Sequence, residues 1–192
     1  MTDDGLLVGA DGLARCFWAG STPDYLAYHD DEWGKPVHGD DALFERMCLE
    51  AFQSGLAWIT ILRKRPAFRA AFAGFDIKTV AGFDERDAER LMGDAGIVRN
   101  RMKIDAALHN ARVAAELTVG LSELLWSYAP PARPRPVTRE QVPATTEESK
   151  TLAKELKKRG FKFVGPTTAY ALMQATGMVD DHLAGCHVPA RG

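Results

Sequence analysis

The residues best suited to chemistry stand at opposite ends of this 192-residue chain: Cys16 and His29 near the start, His182 and Cys186 near the end. His182 and Cys186 are four apart, so on a helix both side chains leave one face, a turn apart. Two thiolates and two imidazoles form the closed tetrahedral set of a structural zinc. A catalytic zinc instead keeps a position open for water, beside a Glu base in H-E-x-x-H or in the deaminase pair H-x-E and P-C-x-x-C. Neither motif occurs. A Cys16–Cys186 disulfide needs an oxidising compartment. Three cysteines, no signal peptide and no transmembrane-length apolar run point instead to a cytoplasmic protein with no membrane contact. By spacing alone, a shared zinc and four unconnected residues both stay open. Cys48, on an apolar helix face, reads as a buried free thiol, and His38, His109 and His187, without spacing partners, as ordinary surface residues.

A second unit runs Gly160-Phe161-Lys162-Phe163-Val164-Gly165-Pro166, between two helical patterns. A Pro at the first helical position after an apolar residue and a Gly is a helix–hairpin–helix pattern. Its amides at a helix N-terminus carry partial positive charge and can bind phosphate without reading sequence. Gly165 permits close approach, and Lys162 adds attraction. The bland alternative is a helical hairpin that closes the core. The net charge of −2 argues against nonspecific coating of nucleic acid, yet the charge is uneven. Lys154, Lys157, Lys158, Arg159 and Lys162 cluster near the end, and Arg99, Arg101 and Lys103 form a second basic group. Either cluster is a solvated helix face or a patch for a phosphate backbone.

The elements that must position these residues read as nearly all helix, with no convincing strand. Asp40 is a suitable N-cap for a helix carrying Leu43, Phe44, Met47, Cys48 and Ala51. Asp84 with Asp87 reads as a capping box opening a helix that stops at Gly93. Further helices are predicted over about 103–117 and 122–128. Five prolines between Pro130 and Pro143 make that stretch an extended loop between lobes. Thr145 with Glu148 predicts a second capping box for a helix ending at Gly160, and an apolar helix then runs through Tyr170, Leu172 and Met173 to Gly177. Residues 1–14, rich in Gly and Asp, read as a disordered tail.

Taken together, several stretches resemble the 3-methyladenine DNA glycosylase I family: Cys16-Phe17-Trp18, Pro23 to Tyr28, His29-Asp30-Asp31-Glu32-Trp33-Gly34, Leu49-Glu50 and Gln53-Ser54-Gly55-Leu56-Ala57-Trp58. Asp94 to Ile97, Arg99-Asn100-Arg101 and Lys157 to Gly165 extend the likeness, which covers about residues 15–187. It implies an all-α, helix-hairpin-helix glycosylase domain over 15–187 and a short tail over 188–192. One structural zinc at Cys16, His29, His182 and Cys186 would join the two ends. It implies a monomer acting on double-stranded DNA that contains an alkylated purine. The reaction would be monofunctional hydrolysis of the N-glycosidic bond of 3-methyladenine, leaving an abasic site for base-excision repair.

The resemblance also assigns roles. Tyr28 and Trp58 match the stacking residues, with Trp18 and Tyr25 completing the wall around an electron-poor base. Glu50 would accept a hydrogen bond from the purine edge and favour positive charge on base and sugar. Its helical position alone would equally suit a half-solvated boundary carboxylate. Leu56 would be the wedge that fills the hole left by the flipped base. Gly165, Lys162, Lys157, Lys158, Arg99 and Arg101 are the expected DNA contacts. Thr167 stands where bifunctional relatives carry a Schiff-base lysine, which implies no strand cleavage. Ala51, Ser54 and Ala57 are small-for-small departures from the family pattern. Asp180 replaces its usual Asn, and is either a second catalytic carboxylate or a support for His182.

Overall fold

The computed structural model describes residues 5–190. Nine α-helices lie within them: α1 Pro23–Asp31, α2 Asp40–Gln53, α3 Trp58–Ala71, α4 Ile77–Ala81, α5 Glu85–Gly93, α6 Arg101–Ala115, α7 Leu121–Trp126, α8 Glu147–Lys158 and α9 Pro166–Ala175. No helix among the described residues is long and apolar enough to cross a membrane.

The core is built around α2, which packs against α3, α6, α7 and α9. Leu43, Phe44, Met47, Leu49 and Phe52 of α2 are all buried, so this helix is covered on most sides and not along one stripe. Rings from α3 and the turn after it complete the packing, with Phe52–Phe68 centroids 4.7 Å apart and Phe72–Phe75 stacked at 5.3 Å. Each fully buried large apolar side chain contributes roughly 1.5–3 kcal/mol. That packing also carries α3 across an internal Pro66, a residue that interrupts a helix hydrogen bond.

Helix ends follow local chemistry with instructive exceptions. The capping box of α5 forms between Asp84 and Asp87 as predicted. That of α8 lies one residue later than expected, with Thr146 as the cap and Ser149 answering it at 2.9 Å. Asp40 does not cap its own helix. Gly39, at φ 94°, precedes α2, and the Asp40 carboxylate accepts from the amide of Ser122 at 2.8 Å, capping α7 from a distance. Helices α1, α3 and α4 had no sequence prediction. Only Tyr28 and His29 of α1 are buried, too few to make a period, and Pro66 breaks the pattern of α3.

Two expectations at the ends are corrected. Leu6–Val8 (β1) and Ala14–Cys16 (β2) form an antiparallel ribbon with Leu6 opposite Cys16, where no strand and a disordered tail were expected. Gly12, at φ 77°, allows the reversal, and the Asp11 carboxylate accepts from the Leu13 amide at 3.1 Å. The first four residues of that expected tail lie outside the described residues. At the other end, Val188 is not part of a loose tail. It is buried with Leu6, Cys16, Leu183 and Cys186 in a second small apolar cluster. Arg135, from the proline-rich loop, donates to the carbonyls of Val188 and Pro189 at 2.7 and 2.9 Å. A ribbon and a loop thus pin the C-terminal segment where its histidine and cysteine are needed.

Candidate active site and metal centre

Cys16 comes from the end of β2, His29 from α1, and His182 and Cys186 from the segment after α9; all four are buried. The Cys186 sulfur lies 3.5 Å from His29 Nε2 and 3.5 Å from His182 Nδ1, and the Cys16 sulfur 3.7 Å from His182 Nδ1. A tetrahedral zinc with bonds of about 2.3 Å to sulfur and about 2.0–2.1 Å to nitrogen requires ligand atoms about 3.3–3.8 Å apart. These spacings fit it. The remaining ring nitrogens are oriented as ligating imidazoles require: His29 Nδ1 meets the Asp30 carboxylate at 2.7 Å and His182 Nε2 meets the Trp33 carbonyl at 3.1 Å. Contact with Cys16, and then the two imidazoles, hold the Cys186 thiol below its ordinary range, the direction a thiolate ligand requires. His187 is no ordinary surface residue, because its Nε2 lies 2.9 Å from Asp30, beside the same cluster.

Next to this cluster opens a cavity of about 350 Å³, lined by Trp18, Tyr25, Tyr28, Trp33, Glu50 and Trp58 among others. Tyr28 and Trp58 sit 5.5 Å apart between centroids, and Trp18 lies edge-on to Tyr25 at 5.8 Å and to Trp33 at 5.0 Å. Tyr25 is fixed by accepting from the Ile59 amide at 3.0 Å. Glu50, on the third turn of α2, is only 6 % exposed and has no hydrogen-bond partner among the described residues. Burial, opposed only by Arg46, pushes its carboxyl up to about 8. The Trp58 indole N–H is likewise buried and unpartnered. Aromatic walls with one unpaired acidic group and one free donor suit a flat, electron-poor base.

The second carboxylate in the cavity is Asp181. It accepts from the Tyr170 hydroxyl, from Gln174 at 2.9 Å and from Arg133 at 3.0 Å, so donors saturate it where Glu50 has none. Asp180 does not line the cavity. Its oxygens take Arg135 at 2.9 Å and the His182 amide at 3.3 Å, beside the metal cluster.

The methyladenine glycosylase family model matches residues 18–189. DNA-3-methyladenine glycosylase 1 of Escherichia coli (strain K12) is 46% identical over 179 residues, covering 91% of this chain and 96% of the relative. The chain belongs to the methyladenine glycosylase family. A crystal structure of 3-methyladenine DNA glycosylase I superposes with a TM-score of 0.88 at 44% identity, over 92% of this chain and all of the other. The Staphylococcus aureus structure on 3-methyladenine recognition gives 0.88 at 34% identity, over 93% and 98% of the two chains.

On this methyladenine glycosylase scaffold the remaining candidates lie on the turn between α2 and α3, around the α8–α9 hairpin and at the start of α6. Leu56 is 38 % exposed on the turn between α2 and α3, where Gly55 takes φ 82°. The Gln53 side chain closes that turn by donating to the Leu56 carbonyl at 2.8 Å. The hairpin between α8 and α9 is held by Asn110, 3 % exposed, which donates to the Lys162 carbonyl and accepts from its amide at 2.9 and 2.8 Å. Lys157, Lys158, Lys162 and Arg99 are exposed. A Cβ at Gly165 would meet nothing within 4 Å. Arg101 is exposed but already paired, with Glu85 and Asp105 both at 2.7 Å. Lys103 leaves the basic group altogether, since its ammonium is buried against backbone carbonyls. Sequence reasoning missed Trp33, Gln53, Gln174 and Asp181 as lining residues. The first two stood inside the quoted stretches, whereas nothing in spacing separates Asp181 from Asp180.

Proposed function

We propose that the protein excises 3-methyladenine from alkylated duplex DNA with Glu50 as the carboxylate that recognises the base. Alkylation at N3 gives adenine a positive charge and weakens its glycosidic bond, so selection and electrostatics matter more than a strong acid. The nucleotide must leave the helix at a cost of a few kcal/mol. Leu56 fills the vacated stack. Tyr28 and Trp58 hold the ring, Trp18 and Tyr25 close the wall, and each stacking contact is worth roughly 1–3 kcal/mol. The ionised Glu50 is stabilised by the cationic base and in turn stabilises the positive sugar as the C1′–N9 bond breaks. The base leaves with the bond's electrons and becomes neutral. Water supplies the hydroxyl at C1′ and releases a proton, leaving an abasic site.

Other residues serve binding and assembly. Segment α8, residues 159–165 and α9 act as a helix-hairpin-helix, with the α9 amides on a phosphate and Lys157, Lys158, Lys162 and Arg99 around it. Arg101 can join them only by loosening its two ion pairs. Cys16, His29, His182 and Cys186 hold one structural zinc, which ties the ends of the chain together. Asp180 supports the His182 segment, and Thr167 provides no amine for strand cleavage. The enzyme works as a monomer.

The observation that carries this reading is Glu50, a buried residue in an aromatic cavity whose carboxyl has no hydrogen-bond partner among the described residues. Mass spectrometry of bases freed from methylated duplex tests it. Wild type should release 3-methyladenine without cutting the strand, and Glu50→Gln should release at least tenfold less while keeping its metal and fold. Unchanged release by that variant removes Glu50 from the mechanism, and strand scission removes the monofunctional reading.

A further inference from the structure

A charge imbalance beside Glu50 has no counterpart among the roles assigned so far. Glu32 accepts from Arg65 through both oxygens, at 2.6 and 2.7 Å, which already neutralises it. Arg46 adds a third contact to the same carboxylate, from one guanidinium nitrogen at 3.0 Å. The triad of Glu32, Arg65 and Arg46 therefore carries one surplus positive charge. Arg46 and Arg65 are each 13 % exposed at the side chain. The second terminal nitrogen of Arg46 is buried with no hydrogen-bond partner among the described residues.

Arg46 stands four residues before Glu50 on the same helix, the spacing at which two side chains lie on one face. Tyr28 lines the same cavity as Glu50, and burial and then the Glu50 charge push its hydroxyl up, opposed by Arg46. A guanidinium nitrogen of Arg46 and the Glu50 carboxyl, neither with a hydrogen-bond partner among the described residues, thus share one buried helix face. We infer that Arg46 is the positioning residue whose surplus charge limits the cost of ionising Glu50 in the pocket, so that an entering cationic base completes the change to carboxylate.

The other groups around Glu50 cannot fill this role. Tyr28 is neutral, Arg65 is consumed by Glu32, Lys103 is turned to backbone carbonyls, and Asp181 is held by Tyr170, Gln174 and Arg133. Among the described residues, Arg46 is the one electrostatic influence that opposes burial at Glu50. A buried carboxyl that lost this partner would hold its proton more tightly.

The proposal rests on Glu50 acting as the base-recognising carboxylate, and the experiment separates the two claims. Single-turnover excision of 3-methyladenine from duplex DNA would be followed from pH 5.5 to 9.5 for wild type, Arg46→Met, Arg46→Lys, Glu50→Gln and the Arg46→Met, Glu50→Gln double variant. Wild type should fall away on the acid side. Arg46→Met should move that limb upward, losing about tenfold at neutral pH for each unit of movement, and rejoin wild type at alkaline pH. Arg46→Lys should restore the profile, and Arg46→Met should add nothing in the Glu50→Gln background. Glu32 keeps Arg65 in all variants. Arg46→Gln, which retains an amide donor for Glu32, replaces the methionine variant should that one be unstable. A flat wild-type profile, an unmoved limb, an equal loss at every pH or a further loss in the double variant overturns the role of Arg46. Wild-type excision by Glu50→Gln overturns the reading of Glu50 itself.

Discussion

The Lys103 ammonium donates to the Ser54 carbonyl at 2.6 Å, joining the first turn of α6 to the turn that carries Leu56. A second bond, to the Phe52 carbonyl at 2.9 Å, makes Lys103 the cap of the C-terminal end of α2. The orphan carbonyls of a helix end carry partial negative charge, so a buried cation there is favourable. Two consequences for the pocket follow, because α2 also carries Glu50.

Lys103→Met should lower stability by about 2 kcal/mol, the scale of a charge-assisted hydrogen bond lost from the interior. Urea unfolding measures that. The turn over 54–56 should loosen, so excision from duplex should suffer more than binding of free 3-methyladenine. Equal losses in both would mean that the lysine supports the pocket as a whole and not the turn.

Glu50 should make the fold less stable as pH rises. Its carboxyl titrates near 8 when folded against an ordinary value of 4.5. Between those values the folded state holds a proton that the unfolded state has lost, so stability falls by up to about 1.4 kcal/mol per pH unit across the window. Glu50→Gln should be insensitive to that change, and its advantage over wild type should grow from pH 5 to pH 8. Parallel denaturation curves at both pH values would refute this.

Cys186→Ser should abolish stoichiometric metal. Purified wild type should carry one zinc per chain by elemental analysis, with the variant below about a tenth of that. A structural zinc contributes folding free energy outright. Strong chelation should therefore release the 6–16 ribbon and the 178–189 segment first, seen as early hydrogen exchange of those amides. Full metal content in the variant would show that the ion lies elsewhere.

Gly165→Ala separates folding from DNA contact. The new methyl group meets nothing within 4 Å, and φ is an ordinary −71°. Thermal stability should change by no more than about 0.5 kcal/mol. Affinity for undamaged duplex should fall severalfold, since a methyl group would stand between the α9 amides and a phosphate. Unaltered binding would place the phosphate somewhere other than this hairpin.

Local chemistry was readable wherever it depends on neighbours along the chain. The Asp84–Asp87 box, the long α6 and α8 and the stop at Gly160 follow from caps, period and backbone freedom within a few residues. His182 and Cys186 do meet, but not on the helical face that their spacing suggested: the segment after α9 that carries them is not helical, and the fold brings their side chains together. Residues in the first 60 positions carried the family likeness even where α1 and α3 showed no helical period, because their types reflect the pocket and not the helix.

What the sequence by itself determined is therefore the helical class, the bounds of several helices such as α5, α6 and α9, the family and the four residues able to hold zinc. Tertiary structure alone decided which charges remain free. Asp180 turns to Arg135 while its neighbour Asp181 enters the cavity; Lys103 is buried while Arg99 stays exposed. Asp40 caps α7 through Ser122, 82 residues away in sequence, and a ribbon from the expected tail packs against the cysteine–histidine cluster. The reason is physical: helix formation is settled by interactions over three or four residues, whereas the ionisation and reactivity of a side chain depend on burial and on partners that only the folded chain brings near.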